Sequence, residues 1–286
     1  MFTIAKLTFT EAARKKVFLV TILLSIGFVM LYGMALDKTA EDMARLKAMG
    51  SSQPVIQQMI GSQLLGAGLY FASLLVSLLA LMASIGSVAP EIENGLLHAV
   101  VSKPIKRSSI ILGKYFGLAV MLAVYATGML GIILLINKYY YPSSLSYLTA
   151  GGVISGTLIF ILQPLVLLAV AMLFSTLFRA LTAGIIATTL YGLGMVGGFI
   201  EQIGSMMEKS SLVNIGIVSS LIMPSDALYR KLVAVVTNVE GNPLNIMNIG
   251  PFGVSTPPSS AMLVYACIYA ITCLGLAVYS FNKKDL

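Results

Sequence analysis

The sequence predicts an all-α integral membrane protein: six transmembrane helices, an N-terminal interfacial helix, and a short cytoplasmic helix between the second and third spans. Three observations predict it. Hydrophobic residues make up 58% of the 286 and charged residues only 10%, against about 25% charged in an average soluble domain. Apolar runs long enough to cross a hydrocarbon core of roughly 30 Å recur along the chain. The basic residues, which give a net charge of +7, cluster beside the ends of these runs and form no stripe or groove. That placement argues for a lipid bilayer, and not nucleic acid, as the partner of the charge.

The first element, residues 1–14, carries an apolar stripe at Phe2, Ala5, Phe9 and Ala13 and a polar one at Thr3, Lys6, Thr10 and Arg14. That spacing is the pattern of a helix lying in the membrane surface. The first span covers 17–36. Arg14-Lys15-Lys16 before it has the form of a secretory signal peptide, but the apolar run is longer than an h-region, and its removal would leave five spans with the basic clusters on the wrong side. Residues 37–59 are polar and helix-compatible up to Gly50. Spans follow at 64–89 and 110–136, and Tyr139-Tyr140-Tyr141-Pro142 then marks a headgroup boundary where aromatic rings are favoured. Spans 151–178 and 180–200 are separated by Arg179 alone, a tight hairpin.

The outer segment 201–258 returns to the membrane through Pro251, Gly253, Pro257 and Pro258. Its middle, NIGIVSSLIMP, is apolar enough to dip into the bilayer and too short to cross it. The last span is 260–281, and the whole chain, 1–286, reads as a single transmembrane domain. Arg14–Lys16, Lys103–Arg107 and Lys283–Lys284 fall on one side of this layout. By the positive-inside rule that side, with both termini, is cytoplasmic.

Several chemistries are excluded by the residues themselves. Gly192-Leu193-Gly194-Met195-Val196-Gly197 has dinucleotide-fingerprint spacing but lies inside an apolar span, without the strand and water-facing helix N-terminus that motif needs. Gly194 with Gly198, and Gly152 with Gly156, fit close helix approach instead. Gly113-Lys114 resembles the end of a phosphate loop, but Ser108 replaces the first glycine and Tyr115 the magnesium-binding hydroxyl. One histidine, His98, excludes a His-pair zinc motif. Cys267 and Cys273 share the last span and imply neither disulfide nor metal. The spans as delimited hold no Asp or Glu, which argues against a proton-coupled carrier. Gln163-Pro164 is the main polar break within them, either a packing kink or a contact along a transport pathway.

The most charged stretch is 90–109. Glu91, Asn94, His98 and Ser102 share one helical face, and Ile92, Leu96, Ala99 and Val100 another. Glu91 and Glu93 lie in a first helical turn, where the helix dipole favours carboxylates. Glu91-Ile92-Glu93-Asn94-Gly95-Leu96-Leu97, then Ser102-Lys103-Pro104-Ile105-Lys106-Arg107, then Ile111-Leu112-Gly113-Lys114 resembles the E-x-E-x-G-T-L…LLS-x-P-x-x-R…L-G-K signature of ABC-2 type transporter permeases. Leu96 stands where that family usually has threonine. Met223-Pro224-Ser225-Asp226-Ala227-Leu228-Tyr229-Arg230 is similar to an element of members related to nitrous-oxide-reductase maturation and sodium-export permeases.

The resemblance implies the non-catalytic transmembrane subunit of an ATP-driven exporter in a prokaryotic cell membrane. It implies a permease homodimer with two copies of a separate ATP-binding cassette subunit. ATP and Mg2+ then belong to that partner, and this chain binds no cofactor. Residues 91–101 become a coupling helix, with Glu91, Glu93, Asn94, Gly95, His98, Lys103, Pro104, Arg107, Gly113 and Lys114 as the ATPase-coupling set. On this view Glu91 and Glu93 contact basic residues of the ATPase. A self-contained secondary carrier and a membrane scaffold for a cytoplasmic partner are the alternative classes.

Overall fold

The computed structural model describes residues 1–48, 54–94, 106–145, 148–237, 254 and 257–283. Among them all secondary structure is helical: α1 (Phe2–Arg14), α2 (Lys16–Ala48), α3 (Pro54–Ile85), α4 (Ala89–Glu93), α5 (Arg107–Tyr140), α6 (Ala150–Leu177), α7 (Ala180–Met206), α8 (Ser210–Ile222), α9 (Ser225–Val236) and α10 (Ala261–Lys283), with one 3-10 turn at Pro142–Leu145. Six of these, α2, α3, α5, α6, α7 and α10, are long and apolar enough to cross a membrane. α1 and the C-terminal end of α10 lie at the same end of the bundle, called here the near end.

The helices outrun the hydropathy. α2 continues twelve residues past the end of its predicted span at Leu36, because 37–48 contains no helix breaker and keeps good helix formers. α3 starts at Pro54, ten residues before the predicted boundary; proline suits a first helical position, where its missing N–H has no intrahelical partner. α7 runs on to Met206 and so includes Glu201. The spanning helix therefore carries a carboxylate that the hydropathy boundary at Ile200 had left in the outer segment.

α6 and α3 form the centre, with the largest buried share of the six. α6 holds a buried run at Val166, Leu167, Leu168, Ala169, Val170, Ala171 and Met172, all round the helix, as expected of a span surrounded by other helices. The outer helices instead show their leucines and valines to lipid, Leu181 and Leu135 among them. Side chains of this kind facing hydrocarbon need no partner.

α8 and α9 are the departure from a plain six-helix bundle. They meet at a 104° bend at Pro224, which has no N–H to continue the helix. α8 runs antiparallel along α7, and its end lies against Gly194, where an added Cβ would come 3.0 Å from the Met223 carbonyl. From Gly194 to Met206 α7 rises about 18 Å. The bend is therefore well inside the bundle, and the pair is a re-entrant excursion from the far end. α9 then passes between α3, α6 and α7 with ten of its twelve residues buried. At Gly156 a Cβ would come 3.1 Å from Val236 Cγ2, and at Gly152 3.6 Å from the Val235 carbonyl, so these two glycines let α9 lie close on α6.

Candidate functional site

At the near end, α3 stops at Ile85 and the chain turns through Gly86, Ser87 and Val88 into α4. The last carbonyls of a helix have no intrahelical donor and favour cations. Two lysines from different elements bind the carbonyls of the turn just beyond that helix end. Lys15, at the α1–α2 junction, donates to the Gly86 carbonyl at 2.8 Å and pairs with Glu11 at 2.8 Å. Lys114 of α5 donates to the Ser87 carbonyl and pairs with Glu91 at 2.5 Å. Lys114 is almost wholly buried, and Glu91 is its compensating charge.

Glu93 points the other way. Its Oε1 accepts from the Ala180 backbone N–H at 2.7 Å, a carboxylate at the N-terminus of α7 where the helix dipole favours it. The Ala89 N–H donates to Ser175 Oγ of α6 at 3.0 Å. Arg107 Nη1 donates to the Asn282 carbonyl at the end of α10, at 3.4 Å. Gly113 and Gly117 form the bed of α1: a Cβ at Gly113 would come 2.9 Å from Ile4 Cβ, and one at Gly117 2.5 Å from the Ala5 carbonyl. Beneath the turn lies a separate apolar cluster of Val88, Ile110, Ile111, Met172, Ala277 and Phe281, with Ile4 and Ile92 against it.

The signature residues in the described chain are thus joined into a frame. Glu91 and Glu93, expected to face a partner, each have a partner inside the chain, and Gly113 seats a helix. Asn94 is exposed and ends α4, its N–H bonded to the Pro90 carbonyl at 2.9 Å. Gly95, His98, Lys103 and Pro104, with most of the proposed helix 91–101, lie outside the described residues. In α1 the face packed on the bundle lies beside the apolar stripe read from its sequence. Thr8 and Ala12 are its buried residues and, with Ile4, face α5, while Phe2 is 93% and Phe9 37% exposed. A glycine bed selects for small residues on the packing face, and the large aromatic ones are left to lipid.

A second polar site lies at the far half, and the sequence reading passed over most of it. Arg230 of α9, 1% exposed, bonds Glu201 of α7 through both terminal nitrogens at 2.7 Å. Its Nε donates to Asp226 Oδ2 at 2.9 Å, and Nη2 to Ser220 Oγ at 3.4 Å. One guanidinium holds two carboxylates from two helices, Glu201 in bidentate geometry, the strong form of the ion pair, and Asp226 through a single bond. Glycines give the room. A Cβ at Gly198 would fall 1.7 Å from Asp226 Oδ2, and one at Gly216 2.3 Å from Glu201 Cβ. The carbonyls released by the bend at Pro224 are also met: Tyr265 bonds that of Leu221 at 2.5 Å and Tyr269 that of Ile222 at 2.8 Å. Backbone that leaves the helix at membrane depth needs such partners. The advance signals were the family-like element 223–230 and the Asp226–Arg230 spacing of four within it, which puts the two on one helical face.

Between the two sites Gln163, the predicted pathway residue, is buried and donates to Ser73 Oγ of α3 at 2.6 Å. Pro164 follows it inside α6 without ending the helix.

Six apolar spanning helices, a re-entrant pair and a polar frame at the near end define a multi-pass membrane protein. A family model described as "ABC-2 family transporter protein" matches residues 2–286. The chain belongs to that family and is a permease of the ABC-2 type. A search of curated proteins finds no match to it.

Proposed function

We propose that this permease is the transmembrane subunit of an ATP-driven exporter, working as a homodimer with two copies of a separate ATP-binding cassette subunit that holds ATP and Mg2+. The chain itself is non-catalytic. It sits in a prokaryotic cell membrane, with the near end and both termini in the cytoplasm, as the basic clusters at Arg14–Lys16 and Lys103–Arg107 favour. Membership of the ABC-2 family supports the partner.

The observation that carries the mechanism is the pair of oppositely directed carboxylates on α4. Glu91 is tied to Lys114 in α5, and Glu93 to the first turn of α7. Residues 95–105, with Gly95, His98, Lys103 and Pro104, are then the part that meets the ATPase. Displacement of that segment is carried through α4 to α5 and α7, and through Lys15 and the glycine bed to α1. In this reading Glu91 and Glu93 transmit the motion, and basic residues of the ATPase are met further along the segment.

The two placements of the carboxylates differ in outcome. If they transmit, Glu91→Gln leaves the ATPase bound at wild-type stoichiometry but alters its hydrolysis in the membrane-reconstituted complex, while Lys103→Ala weakens co-purification. Release of the ATPase by Glu91→Gln to the same extent as by Lys103→Ala would place Glu91 in the contact itself and refute transmission.

A carrier reading draws on Glu201 and Asp226 as buried carboxylates. Both are held by Arg230, which favours a structural pin for the re-entrant pair.

A further inference from the structure

Beside its glycine bed, α1 borders a groove of about 640 Å³ against α5. That volume falls in the range of sites that hold small molecules, roughly 300–1,000 Å³. Phe2 and Phe9 of α1 and Phe116 and Val120 of α5 form its walls, Gly117 lies in its floor, and Lys6 is the only charged side chain lining it among the described residues. The groove exists because Gly117 brings the two helices together at backbone distance while their large aromatic side chains splay outward. In α1 Glu11 is taken by Lys15 at 2.8 Å. Lys6 and Arg14, both exposed, make no ion pair among the described residues.

An amphipathic helix in the membrane surface, with an apolar slot beneath it and an unneutralised ammonium at the slot's edge, is complementary to one kind of molecule. We propose that this groove binds an anionic phospholipid of the leaflet at the near end, an acyl chain lying along Phe116 and Val120 and the phosphate at Lys6. Charge complementarity selects the head group, since a juxtamembrane lysine favours anionic over zwitterionic lipid. The walls select a flexible hydrocarbon chain, since they offer no hydrogen-bonding side chain other than Lys6. The lipid would steady α1 on α5, and with it the Lys15 contact to the turn after α3.

The chain has no tryptophan, so one introduced indole reports its own surroundings. Phe116→Trp, in the full chain reconstituted in phosphatidylcholine vesicles, is titrated with brominated phosphatidylglycerol and, separately, brominated phosphatidylcholine, which quench on contact. Ile185→Trp, exposed on α7 toward the same end, reports ordinary surrounding lipid. The proposal expects a preference for the anionic lipid of about fivefold at position 116, the size of one lysine at a membrane surface. At position 185 none is expected, and at 116 it falls to about one when Lys6→Ala is added. Equal preference at the two positions, or a preference that survives Lys6→Ala, overturns it. So does an absence of quenching at 116 by either lipid, which would mean that a protein surface covers the groove.

Discussion

Arg230 stands alone between two carboxylates in a place where water cannot help. Removing one partner of a buried, hydrogen-bonded ion pair leaves the remaining charge uncompensated, at a cost of about 3–5 kcal/mol. Arg230→Ala is therefore expected to destabilise the protein by about that much, seen as a lowered thermal midpoint in detergent. Arg230→Lys keeps the charge but cannot form the two parallel bonds to Glu201, so it should fall between. Lys231→Ala, next in sequence and making no ion pair among the described residues, serves as the control and should stay within about 0.5 kcal/mol of wild type. An Arg230→Ala protein as stable as the Lys231→Ala one would remove the pin from the account. The site was only half legible in advance. Asp226 and Arg230 stand out as one turn of helix, but Glu201 lies one residue beyond an apolar run, and hydropathy assigns such a residue to a loop. Its partner is 29 positions away in sequence, and no local pattern encodes that pairing.

Among the elements, the α7–α8 hairpin depends on which glycines face it. Gly192, the first of the fingerprint-like glycines, has no atom within 4 Å of an added Cβ, whereas Gly198 and Gly216 would each meet one closer than 2.5 Å. Gly192→Ala should be neutral or slightly stabilising, since alanine is the better helix former. Gly198→Ala and Gly216→Ala should each cost about 1–3 kcal/mol as overpacking, and Gly198→Ala should also loosen Asp226 from Arg230. Thermal unfolding of the three variants side by side is the check, and equal midpoints would contradict the packing described. Glycine spacing made Gly194 and Gly198 readable as contact residues, but spacing alone could not name α8 and α9 as what they touch. The length of NIGIVSSLIMP predicts a segment that enters without crossing, and α8 and α9 meet inside the bundle at a 104° bend. The bend followed from a proline whose break is tolerated because Tyr265 and Tyr269, some forty residues later, take the freed carbonyls. For α1 the apolar stripe gave the helix, but which face packs on α5 depends on Gly113 and Gly117, which meet Ile4, Ala5 and Thr8.

For the whole molecule, six apolar runs were enough to give six spanning helices, since a bilayer imposes length and backbone satisfaction more strictly than water does. Sidedness is testable by the same logic. With Cys267 and Cys273 replaced, a cysteine at Ser108 and another at Ser210 should react with an impermeant reagent from opposite faces of the membrane, Ser108 from the cytoplasm. Labelling of both from one face would break the six-span arrangement. Powering is the central claim, and ATP hydrolysis by the complex isolated through this chain tests it most directly, measured before and after the bound partner is stripped away. The account predicts that an ATP-binding cassette subunit co-purifies in equal number with the permease, that hydrolysis accompanies it, and that the activity leaves with it. Hydrolysis retained by the permease alone, or isolation of the intact membrane complex with no nucleotide-binding subunit, would contradict it.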